Sequence, residues 1–330
     1  MRELIRKLCE CDGPPGHEGP VRERVLAEIK GLADQVAVSP LGSIHATLNP
    51  SGDCKIMVAA HMDELGLIIS HVDPRGYARF QSLGRIVPEA LPGQRIRFSN
   101  GAIGVVGTSG LQGKPKPLRL DDLFLDFGAA SQRACPVQVG DCGAFVHEPV
   151  DFGSRLMGKA MNNRVGVAIL IGALKRLRTT ANQVQLAFTV QEEVGGRGAT
   201  TSAFALDPDV ALVVDVAGCD DLPRNGNPRL HLGGGPALSL RGRRTIADPR
   251  VVGWIEKAAS KAGIPCQREV LERGPSEGTP IHHARAGIPS GGLLVPCRHL
   301  HTSSEMVDLD DVLATSRLLV ALLRARIDLK

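Results

Sequence analysis

Aromatic side chains are scarce in this chain of 330 residues: one Trp, one Tyr and eight Phe, 3% of the whole. A nucleic-acid surface wants stacking rings or a basic stripe. Here the basic residues are dispersed, and the densest clusters, KPKP at 114–117 and RGRR at 241–244, carry no aromatic among them. The net charge is only +4. No nucleic-acid partner is therefore expected. Long apolar runs are missing too: none approaches the roughly 20 residues that cross a bilayer, so no membrane partner is expected. The N-terminus, MRELIRKLCECDG, has neither an apolar h-region nor a small-residue cleavage site, which points to a cytoplasmic protein. None of the eight cysteines (Cys9, Cys11, Cys54, Cys135, Cys142, Cys219, Cys266, Cys297) forms a CxxC pair. They read as reduced, mostly buried thiols, and a thiolate zinc site is not expected.

What is present is ample apolar material, 43% of residues against 22% charged, enough for a sizeable core and for two domains of ordinary size. RELIRKLCE and VRERVLAEIKGLA have helical spacing. QVAVS (35–39), IHATL (44–48) and the fully apolar KIMVAA (55–60) read as strands, the last suited to burial on both faces. From about Gly66 to Leu156 the texture changes to short β-like runs broken by Gly and Pro, among them GLIISHV, YARFQSL, QRIRF, AIGVVGT, LFLDFGA and GAFVHE. That pattern predicts a small barrel or sandwich inserted into something else. After residue 160, helix and strand alternate: NRVGVAILIGALKRL, VQLAFTV (184–190), DVALVVDVA (209–217), PRVVGWIEKAASKAG, PSGGLLVP (289–296) and a long C-terminal helix from Leu309. Such alternation implies a three-layer α/β domain.

In open α/β sheets ligands bind beyond the carboxyl ends of the strands, and four strand ends here carry ligand-type side chains. KIMVAA runs into His61 and Asp63, two residues apart and so on one face if the strand continues. VQLAFTV runs into the adjacent carboxylates Glu192 and Glu193, followed by glycines. Asp215 sits inside ALVVDVA, where an acid is costly unless paired or metal-bound. His299 and His301 follow GLLVP. Each feature alone reads equally as a core histidine or a solvated acidic turn. Together they predict a site for zinc or cobalt, which take imidazole and carboxylate ligands. A rival reading is the serine-hydrolase elbow G-x-S-x-G at GPSEG (274–278). Its triad acid should fall between Ser276 and a histidine such as His301, where the only acid is Glu277, the neighbour of the nucleophile.

The segments HMDELG (61–66), QEEVGGRGA (191–199), VVDVA (213–217) and HTSSEMVDL (301–309) resemble those of the tetrahedral and glutamyl aminopeptidases, dinuclear metallopeptidases some of which are labelled cellulase M. The likeness extends over nearly the whole chain, with DLFLDFGA and VGDCGAFV resembling that family's inserted β-domain. It implies an α/β metallopeptidase domain at 1–65 and 157–330, and a β-barrel at 66–156 that serves oligomer contacts and substrate access. It also implies one metal on His61 and Asp215, another on Glu193 and His301, Asp63 orienting His61, and Glu192 as general base toward a metal-activated water. The cofactor expected is zinc or cobalt, one or two per chain. The partners expected are short peptides and further copies of the chain, from a dimer to a dodecamer.

Four positions depart from the family pattern. The Asp that bridges the two metals is Asn162 here, an amide with one carbonyl oxygen and no charge. Ser276 and Glu277 replace a Thr-Asp pair, and His299 stands where an aromatic residue is usual; all three are candidate substrate contacts. Asn162 opens an alternative, a catalytically impaired or mononuclear relative acting as a binding or scaffold protein. An amino-acid deacylase of the same reaction type is a second alternative.

Overall fold

The apolar runs that suited double-sided burial lie side by side at the centre of one sheet. The computed structural model describes residues 1–108, 117–177, 179–223, 229–242, 244–270 and 277–327. Two helices, α1 (Arg2–Cys9) and α2 (Gly19–Ile29), lead into β1 (Gln35–Val38), β2 (Ile44–Leu48) and β3 (Lys55–His61). The β-rich segment supplies β4 (Gly66–Val72), β5 (Ala78–Leu83), β6 (Arg95–Phe98), β7 (Ile103–Thr108), β8 (Leu123–Asp126) and β9 (Cys142–Phe145). The chain returns through β10 (Val150–Phe152) and β11 (Arg155–Gly158) to α3 (Met161–Arg176), β12 (Gln183–Thr189), α4 (Arg197–Leu206) and β13 (Val210–Gly218). It ends with β14 (Ala237–Arg241), α5 (Pro249–Ala262), β15 (Gln267–Val270), α6 (Gly278–His282), β16 (Ser290–Arg298), β17 (Glu305–Asp308) and α7 (Leu309–Arg324).

Among the described residues, β1-β2-β12-β3-β13-β16-β17-β11-β10 form one sheet, with β14 added beside β16 and β15 beside β14. The four middle strands, β12, β3, β13 and β16, are parallel. They are buried almost end to end, as strands covered by helices on both faces must be. Side chains alternate across a strand, and the two faces differ. Ile56, Val58 and Ala60 point into the main core with α3 and α7, whereas Met57, Ala59, Ala211 and Val213 pack against Ala199 and Ala203 of α4 and Ile281 of α6. His61 continues the second row on β3 and Asp215 continues it on β13. Alternation alone thus places both on the α4 and α6 face, at the carboxyl ends.

The β-rich segment closes into a barrel of order β4-β5-β8-β7-β6-β9, with its own core of Leu67, Ile69, Phe80, Ile96, Phe98, Val106, Leu125 and Phe145. The fold is therefore the expected α/β layering with an all-β barrel inserted after β3. The β10–β11 hairpin, which sequence texture assigned mostly to the insert, hydrogen-bonds through β17 into the large sheet. Return to that sheet thus begins at Val150 rather than at 157. A network of ion pairs sits where the barrel meets the rest of the chain, with Arg97 as its barrel member. Arg97 on β6 donates to Asp12 at 2.7 Å, Lys159 bonds both Asp12 at 2.6 Å and Glu64 at 3.0 Å, and the fully buried Arg164 reaches Glu64 at 3.3 Å. Among the described residues no helix is long and apolar enough to cross a membrane.

Candidate metal centre

His61, the last residue of β3, has no exposed surface. Its Nδ1 lies 3.2 Å from the backbone oxygen of Asp63 and 3.5 Å from its Oδ1. Its Nε2 faces Asn162 Oδ1 at 3.1 Å, and Glu192 Oε2 and Asp215 Oδ1 at 3.8 Å each. The Asp63 carboxylate also reaches the next strand end. One oxygen accepts the backbone N–H of Glu192 and the other that of Glu193, both at 3.0 Å, so a single buried acid sets the position of both glutamates. Asn162 spans the gap between the two sides, its Nδ2 donating to Glu193 Oε1 at 3.1 Å.

Asn162 and Asn163 both have non-helical backbone angles within the bounds of α3. Asn163 fills the capping role: its Oδ1 accepts from the Gly166 N–H at 3.0 Å, and its Nδ2 donates to the Val214 carbonyl at 2.8 Å. That leaves the Asn162 side chain free to point into the cluster. Asp215 is held by the N–H of Val216 at 2.8 Å.

His301 differs. It follows β16 with φ +67°, and its backbone N–H, not its ring, is what the surrounding acids hold, through Glu305 Oε1 at 2.9 Å. His299 is exposed, with φ +56°. Glu277 is fully buried beneath the cluster, accepts a hydrogen bond from Thr189, and leaves Oε2 without a partner among the described residues. Ser276, and with it most of the GPSEG motif, lies outside the described residues.

Burial dominates the electrostatics. It pushes Glu193 well above the ordinary carboxylate range, helped by its neighbour Glu192 and opposed by His61. It raises Asp215 to about 6, and Glu277 and Glu305 to about 8. For His61 burial favours the neutral ring, but Glu192, Asp63 and Asp215 outweigh it and hold the ring well above its usual value. For His301 burial and then the nearby Arg85 push the ring down to about 4. A buried concentration of carboxylates strains to stay charged and is relieved by a cation. One ligand atom each from His61, Glu192 and Glu193 lie within 4.8 Å of one another. Imidazole with carboxylate oxygens is a donor set that zinc and cobalt accept, so these residues fit a divalent metal.

Sequence reasoning missed three participants. Glu305 is a buried acid that opens a short strand; it lies within the segment HTSSEMVDL quoted for the resemblance, but no role is read for it there. Glu18 is buried and accepts the N–H of Gln191, at φ +56°, at 3.0 Å, which steadies the turn before Glu192. Gly84, after β5 in the barrel, has φ +91°, and a Cβ there would lie 2.8 Å from Glu193 Oε2 and 2.5 Å from Leu65. Only a glycine lets the barrel come this close.

The model of the M42 glutamyl aminopeptidase family matches residues 42–318. A putative aminopeptidase of Acetivibrio thermocellus is 38% identical over 97% of both chains. The TET aminopeptidase of Thaumarchaeota archaeon SCGC AB-539-E09 superposes with a TM-score of 0.94 at 32% identity, covering 99% of this chain and 97% of that one. The TET1 peptidase of Pyrococcus horikoshii, which can assemble into a tetrahedron or a large octahedral shell, is 28% identical with a TM-score of 0.87, over 98% and 99% of the two chains. The strand-end acids and histidines, the inserted barrel and these likenesses agree: the chain belongs to the M42 glutamyl aminopeptidase family of metal-dependent aminopeptidases.

Proposed function

We propose that this aminopeptidase removes N-terminal residues from short peptides with Glu192 as general base. The observation that supports it best is the grip of Asp63, which holds the N–H groups of Glu192 and Glu193 on its two oxygens while standing 3.5 Å from the His61 ring. A base and a ligand are thereby fixed side by side by one buried acid. His61 and Asp215 are assigned to one metal position, Glu193 and His301 to another, with the Asn162 carbonyl oxygen between them. Bound zinc or cobalt, one or two per chain, would polarise the scissile carbonyl and acidify water. Glu192 takes the proton from attacking water on its carboxylate and passes it to the leaving amine. Glu277, buried under Thr189 and raised by burial and in part by the Glu192 charge, is kept with Ser276 and His299 as a candidate substrate contact.

A second reading has its own support. Asn162 presents a neutral amide between His61 and Glu193, so a mononuclear or impaired centre follows if a shared ligand must carry charge. We assign residues 1–65 and the chain from Val150 onward to catalysis and the barrel to substrate access and contacts in a homo-oligomer; the approach of Gly84 to Glu193 supports the first barrel role. Eight free cysteines support a cytoplasmic setting.

The test is metal content per chain by elemental analysis, for the protein and for Asn162→Asp, with an aminoacyl-anilide panel on each. The dinuclear reading expects more metal and faster release in Asn162→Asp. Two tightly bound metals and full activity with Asn162 intact would remove the impaired reading. No metal and no release from either form would remove the proposed chemistry itself.

A further inference from the structure

Glu305 opens β17 and is 1% exposed. Its two oxygens are committed to different stretches of chain: Oε2 accepts the backbone N–H of Asn162 and Oε1 that of His301, each at 2.9 Å. Neither stretch has a regular ladder to fix it, since Asn162 departs from helical angles and His301 has φ +67°. A carboxylate serving only as a helix cap would satisfy the N–H groups of one helix start. Glu305 instead ties the approach to α3 to the loop after β16. Those are the segments that carry the shared position, 162, and the histidine farthest from regular structure.

We propose that Glu305 is a positioning residue that sets the spacing between the side chain at 162 and the His301 ring, and so decides whether a second divalent cation is held beside the first. The inference rests on the metal reading above and extends it to a residue that touches neither metal nor substrate. Its basis is the pair of backbone bonds. A glutamine at 305 has one acceptor end and one donor end, so it keeps one of the two bonds and opposes the other. An aspartate keeps both acceptors but withdraws them by one methylene.

The experiment compares the parent, Asn162→Asp, Glu305→Gln, Glu305→Asp and the Asn162→Asp/Glu305→Gln double variant. Zinc affinities are measured by chelator competition, cobalt(II) absorption spectra report coordination, and circular dichroism melts report folding. Removing an outer partner of a ligand typically weakens metal binding about 10- to 100-fold. The expectation is a loss of that size confined to the weaker site, less than threefold change at the tighter one, an altered cobalt spectrum, and disappearance in the double variant of any metal gained by Asn162→Asp. A purely structural role would lower both affinities together, or move only the melt, and either result overturns the proposal. Should Glu305→Gln not fold, Glu305→Asp decides: weaker-site affinity unchanged from the parent overturns the positioning role. Metal binding that ignores every change at 305 overturns this inference alone. Absence of metal from both the parent and Asn162→Asp overturns it together with the reading beneath it.

Discussion

His61 and His301 are the two imidazoles assigned to the proposed centre, and their surroundings push them in opposite directions. His61 closes a central parallel strand, is sealed from solvent, and has Glu192, Asp63 and Asp215 around it, which stabilise its charged form. His301 lies on a loop in left-handed backbone, where burial and Arg85 keep it neutral down to about pH 4. The strand-borne half is fixed by one of its own members, Asp63, which accepts the backbone N–H groups of Glu192 and Glu193. The loop-borne half is fixed from outside, through its backbone. A histidine that stays neutral is available as a ligand at any ordinary pH, whereas the first must give up the favourable contact with its acids as a proton leaves and a metal enters. Precision in one half comes from the sheet, and in the other from a brace.

The largest expected effect lies in the strand-borne half. Glu192→Gln keeps the shape and removes the proton acceptor, so kcat on an aminoacyl anilide falls about 10²- to 10⁴-fold with metal content retained. A fall of less than tenfold would sink the assignment of Glu192 as base. Next comes Asp63→Asn, which cannot accept from both glutamate N–H groups and still favour the His61 ring. Zinc affinity, measured against a chelator, drops about 10- to 100-fold, and if the comparison holds it drops at the His61 position before the His301 position.

The tether of the loop-borne half makes a smaller, acid-sensitive contribution. Arg298, the last residue of β16, donates to Asp221 at 2.6 and 2.8 Å, and this bonding holds the Asp221 carboxyl well below its ordinary range. A depressed folded-state value means stability that is present above the unfolded value near 4 and lost as pH falls through the folded one. Urea melts of the parent and Asp221→Asn should therefore differ by about 1–2 kcal/mol at pH 6 and converge as pH drops below about 4. A gap that does not change with pH would refute the linkage. The smallest effect is at the seam with the barrel. Arg97→Ala leaves Asp12 with Lys159 and is expected to cost under about 1 kcal/mol, read as a shift of a few degrees or less in melting temperature.

The same contrast explains what could be read in the residue order. His61, Asp63, Glu192, Glu193 and Asp215 were legible because each interrupts or ends an apolar run, and a buried run with a polar end has few uses. Asn162 was legible as a departure only against a family pattern. Glu305 stood within a quoted family segment but drew no role of its own: it opens a strand rather than ending an apolar run, and the backbone N–H groups it accepts leave no trace in the sequence. The β10–β11 hairpin escaped for a related reason. Its burial is set by pairing with β17, far along the chain, and Val150, Asp151 and Phe152 are all exposed, so no local pattern marks the strand as part of the large sheet. Glu277 drew notice within the GPSEG motif and as a candidate substrate contact, and the fold gives it a place under Thr189, out of solvent.

Gly84 has a mechanical consequence. With room for no more than a hydrogen where the barrel meets Glu193, the end of β5 acts as a stop against the catalytic layer. Any side chain at 84 would have to displace Leu65 or the Glu193 carboxylate itself, so a single methyl added in the barrel is felt at an acid of the other domain.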